Sequence, residues 1–180
     1  MRCDPMALEM KKVFFASVLI TALGMMFVVA SLVLQMLPLV LEPEVGATIS
    51  LLSTIYLFLL YPLFFVLYFW AGMRGAKRYG LDAINSGIVT AFSSFIVGAF
   101  ELIAITIITA VVLAKGTGAV GFQTPEIVVT NVVFGDIMGY RGIGLSALCG
   151  LGLVLLNSAI NFVIGGLGAI LALSFAKRSE

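Results

Sequence analysis

At 180 residues the chain has the length of one domain, yet 62% of it is hydrophobic and only 11% charged. Soluble domains run at roughly 45–50% and about 25%, so a conventional water-facing fold is excluded. Ten basic and nine acidic residues leave a net charge of +1, with no histidine and only Cys3 and Cys149, which form no CxxC pair; this removes the basic stripe that nucleic acid requires, the usual general base, and any zinc or redox motif.

The apolar residues arrive in blocks, and about 20 of them suffice to cross a hydrocarbon core of roughly 30 Å as a helix. The first block, Val13–Leu41, follows a short charged segment. It is too long for the apolar region of a secretory signal, about 7–15 residues, and reads as a retained membrane helix. Ser17, Gly24, Ser31 and Gln35 lie on one of its faces.

The second block, Ala47–Gly72, contains Pro62. Proline cannot donate its backbone bond, so the carbonyl of Phe58 loses its partner and a kink is expected there. Tyr68, Phe69 and Trp70 close the block at the level where aromatic rings favour the headgroup region. The stretch from Gly72 to Gly80 then reads as an inner loop, and its bases Arg74, Lys77 and Arg78 suit contact with anionic headgroups.

The third block, Ala83–Leu113, carries Glu101, the one ionisable side chain deep inside any span. A carboxylate in lipid is costly unless it stays protonated or meets protein or water. Gly87, Thr90, Ser94 and Gly98 lie within about 60° of it on a helical wheel, so charge and small residues share a face. A long connection, Ala114–Gly144, follows; its β-branched stretch predicts a strand or short interfacial element over Ile127–Phe134.

The fourth block, Leu145–Phe175, aligns Gly150, Asn157, Asn161, Gly165, Gly168 and Ala172 on a stripe. Small residues let helix backbones approach and amides then bond across the contact. Glu101 lies as far from Leu113 as Asn157 lies from Leu145. Antiparallel neighbours would bring these to similar depth, which predicts a hydrogen bond from Glu101 to Asn157 or Asn161.

The expected fold is therefore an all-α polytopic membrane protein: a bundle of four transmembrane helices in a single membrane domain, with one long outer loop between helices 3 and 4. Cytoplasmic loops retain Lys and Arg. Arg2, Lys11, Lys12, Arg74, Lys77, Arg78, Lys177 and Arg178 share one side under this arrangement and only Lys115 and Arg141 the other, so both termini are expected in the cytoplasm of a cell-membrane protein.

For function, the residues point first to a non-enzymatic protein working through helix packing in the lipid bilayer, as a homo-oligomer or as a subunit of a membrane complex, with no cofactor. The alternative is a small ion- or proton-coupled transporter or channel in which Glu101, with Asn157 and Asn161, binds the ion and Pro62 permits motion. An enzyme acting on lipids would depend on Glu126, Asp136 and Arg141 folding back over the bilayer, and Glu101 alone cannot supply both acid and nucleophile.

Overall fold

A computed structural model describes residues 5–37, 43–114 and 140–177. Within them the chain is all-helical: α1 (Pro5–Met36), α2 (Pro43–Tyr79), α3 (Ala83–Ala114) and α4 (Tyr140–Ala176). Each contains a stretch long and apolar enough to cross a membrane: Met10–Met36, Thr48–Tyr79, Ala83–Ile108 and Ala147–Ala176. At about 1.5 Å per residue, 26 to 32 residues span roughly 39–48 Å. That exceeds a hydrocarbon core of roughly 30 Å. The strand expected over Ile127–Phe134 lies outside the described residues.

One boundary differs from the sequence reading. The stretch 72–79, expected as a loop, forms the last two turns of α2. Lys77 and Arg78 occupy the final turn, where cations favour the negative end of the helix dipole. The reversal that follows is compressed into three residues. Gly80 takes a left-handed conformation (φ 65°), which costs glycine little, and Leu81 N donates to Gly75 O at 3.2 Å. Asp82 then caps α3: its Oδ1 accepts from Asn85 N at 2.7 Å and its carbonyl from Ser86 N at 3.0 Å. Helix α2 continues through Pro62.

The chain divides into two compact units. Met1–Met25, Pro62–Val97 and Val154–Glu180 make the first; Met26–Tyr61 and Gly98–Leu153 make the second. In the first, Val13, Ala16 and Ile20 of α1 share a core cluster with Tyr68 and Ala71 of α2, Leu81 of the turn and Val89 of α3. A smaller cluster joins Ala76 of α2 to Ala169 and Ala172 of α4. In the second unit Tyr56 of α2 donates its hydroxyl to the Phe27 carbonyl of α1 at 3.2 Å, and Leu102 of α3 packs on Gly150 of α4.

The polarity gradient is the reverse of a soluble protein's. The buried polar side chains are Ser17, Ser31, Ser53, Ser86, Thr90, Ser93, Ser94, Ser158 and Asn161, while Phe14, Phe58, Val66, Ile103, Leu156 and many other large apolar residues are exposed. Apolar area on this scale is not left facing water. Lipid is the medium that it matches, and the four apolar helices belong to a membrane-embedded protein.

Candidate functional site

The polar residues of the first unit form a seam between α3 and α4. Ser86, Thr90, Ser93 and Ser94 recur at three- and four-residue spacing, so the helical period puts them toward one side of α3. All four are buried. Opposite them on α4, Asn161 is 5% exposed. Its Nδ2 donates to Ser94 Oγ at 2.7 Å and to Asn157 Oδ1 at 3.2 Å, which uses both amide hydrogens. Thr90 Oγ1 lies 2.8 Å from the Gly87 carbonyl and 2.7 Å from the Asn161 carbonyl. Its single proton can serve either.

Glycines make this approach possible. A Cβ on Gly165 would collide with the Thr90 side chain, and one on Gly72 would enter the Gly165 carbonyl. Gly168 lies against the Phe69 carbonyl, and a Cβ on Gly87 would stand 2.8 Å from the Phe162 carbonyl oxygen. Gly165 thus faces α2 on one side and α3 on the other. A further contact joins α1 to α3: Ser93 Oγ is 2.8 Å from the Val89 carbonyl and 3.3 Å from that of Ser17, and Gly24 lies under Val97.

Of the residues singled out in the sequence, Gly87, Ser94, Asn157, Asn161, Gly165 and Gly168 meet in the first unit. Gly98, Glu101 and Gly150 belong to the second. Glu101 is half-buried and has an interaction partner; Asn161 donates its amide hydrogens to Ser94 and Asn157. Pro62 is exposed on α2. The roles of Ser86, Ser93 and Gly72 escaped the sequence reading, although Ser86 and Ser93 stand two turns apart, a spacing that marks a shared face.

Chemically the seam is a set of hydroxyl and amide bonds. No group of three or more His, Cys, Asp or Glu occurs among the described residues, and the seam itself carries neither base nor acid beside its hydroxyls. Ser86 Oγ and Thr21 Oγ1 are buried without a hydrogen-bond partner among those residues.

At the C-terminal end of α4 the seam gives way to exposed Lys177. Near the turn between α2 and α3, Lys77 and Arg78 are exposed, and the Arg74 guanidinium lies over the Trp70 ring, 5.3 Å from its centroid. On α4, Asn157 is exposed while its neighbour Asn161 one turn on is buried. No protein-family model, curated protein or solved structure matches this chain.

Proposed function

We propose that this chain is an integral protein of the cell membrane that crosses four times as a helix bundle with both termini in the cytoplasm. It acts without catalysis, by binding a further membrane helix, from a second copy or another subunit, on the face of α4 that carries Asn157. The observation behind this reading is that Asn157 is exposed within a membrane-spanning stretch.

Helix α4 spans from Ala147 to Ala176, and Asn157 lies about 7 Å along the axis from its midpoint, well inside a core of roughly 15 Å half-thickness. Its Oδ1 accepts from Asn161, but its amide donors face a medium with nothing to accept them, a cost of several kcal/mol in hydrocarbon. A second helix offering a carbonyl or amide relieves it. The glycines at positions 72, 87, 165 and 168 are already filled by neighbours in the same chain, so they are not the docking surface. Asn157 is instead flanked by exposed Leu156, Ile160, Val163 and Leu167, which suit a lipid-facing contact.

The orientation is supported by the eight-to-two split of basic residues. Contact order within the first unit also supports alternating directions. Ser17 meets Ser93 and Gly24 meets Val97, so α1 and α3 advance together. Ala83 lies by Gly166, Gly87 by Phe162 and Ser94 by Asn161, so α3 and α4 oppose one another.

Light-scattering mass and crosslinking in mild detergent and in native membranes test the reading. The parent protein is expected to exceed the 19.1 kDa of one chain, and Asn157→Leu is expected to weaken association about fivefold or more, the size of one interhelical amide bond. A monomer that captures no partner sinks the proposal. Liposome flux that Glu101→Gln abolishes, in a protein that remains monomeric, replaces it with the transport reading.

A further inference from the structure

The basic end of the first unit holds a recognition element that packing does not account for. Val13 of α1 and Leu81 of the α2–α3 turn belong to one core cluster, with Tyr79 packed on it. Lys11 and Lys12, one and two residues before Val13, therefore stand at the same end of the unit as Lys77 and Arg78, all four exposed. Among the described residues the acids at this end are Glu9 and Asp82. Asp82 is committed to the cap of α3, and Glu9 lies near the start of α1.

Arg74 distinguishes this end from a loose cationic rim. Its guanidinium is held over Trp70 at 5.3 Å, a geometry that fixes the planar fork and leaves donors at its edge for an oxyanion. Trp70 is itself 40% exposed, and exposed Val66 and Leu63 continue its face of α2 one and two turns back. A charged fork above an aromatic ring above an apolar face is matched by a molecule with an anionic head and an acyl tail. A free phosphate would use only the first of these.

We infer that Arg74, stacked on Trp70 and flanked by Lys77 and Arg78, forms a binding site for the headgroup of an anionic phospholipid in the leaflet that these residues face. The phosphate takes the guanidinium fork, the two flanking cations supply long-range attraction, and the acyl chain lies on Trp70, Val66 and Leu63. The site rests on the membrane-spanning reading but not on the helix association proposed above.

Trp70 is the single tryptophan of the chain, so its emission reports this site alone. The test uses the full-length protein in phosphatidylcholine vesicles doped with brominated phosphatidylglycerol or brominated phosphatidylcholine, with quenching read as a relative binding constant. The anionic lipid is expected to be preferred about fivefold or more. That preference is expected to fall toward unity in R74A/K77A/R78A, to shrink in high salt, and to resist inorganic phosphate. The exposed pair K77A/R78A, which leaves the stacked ring intact, is expected to lose part of it. Equal quenching by the two lipids overturns the site while leaving the span intact, because bromine on either tail has then reached the ring. Absence of all quenching overturns both. A preference that survives in the triple variant, or competition by inorganic phosphate as strong as that of the lipid, also overturns it.

Discussion

The smallest residues in the first unit carry its tightest constraints. Gly165 stands where a methyl group would enter the Thr90 side chain, and its carbonyl lies where a methyl group on Gly72 would fall. Gly165→Ala is expected to destabilise the folded protein by about 1–3 kcal/mol, the range for overpacking. Gly152→Ala, with nothing within 4 Å of its Cβ, should be neutral or gain up to ~1 kcal/mol from helix propensity. Thermal unfolding in detergent compares them, and equal effects would contradict the packing described. The polar face of α3 was legible in the sequence because Thr90 and Ser94 recur with the helical period. The partner of Asn161 was not. Depth alone made Glu101 as suitable as Ser94, and the choice depends on how α3 is turned about its axis, which a one-dimensional count of residues does not contain.

At the level of the helices, the blocks were legible because length and apolarity leave no alternative in lipid, whereas their ends were not. Residues 72–79 contain glycines and cations that in water would mark a loop; here packing of Gly72 against α4 and of Gly75 against Ser86 holds the backbone helical to Tyr79. The reversal then depends on Gly80 and Asp82. Asp82→Ala removes the acceptor for Asn85 N and is expected to cost about 1 kcal/mol. Gly80→Ala forces a side chain into the left-handed region at about 1–2 kcal/mol. Hydrogen exchange at the start of α3 is the readout: faster exchange at Asn85 and Ser86 is expected in the Asp82 variant, and unchanged rates would contradict the cap.

For the molecule as a whole, the orientation proposed from its charges has a direct check. A cysteine placed at Arg78, in a background with Cys3 and Cys149 replaced by serine, is expected to react with an impermeant maleimide only after the cytoplasmic side is opened. Labelling of intact cells from outside would reverse the proposed orientation. What the composition revealed at this scale was the solvent: apolar blocks this long match only oil. What it could not reveal was the internal division, because each of the four helices gives one part of its length to one unit and the rest to the other, and no change of composition marks the crossing.

Several hydroxyls on these helices are satisfied by carbonyls of their own preceding turn: Thr54 by Ser50, Thr106 by Leu102 and Ser158 by Val154. A rod built this way carries its own solvation and can enter oil before any neighbour arrives. Thr90 extends the scheme, since its one proton stands between a carbonyl of its own helix and a carbonyl of the next at nearly equal reach. Isolated, α3 keeps that hydrogen bond at home; docked, the hydroxyl can turn to the carbonyl of α4, so this one group is never bare in oil, whereas Asn161 and Ser94 lose their shared bond if the helices part.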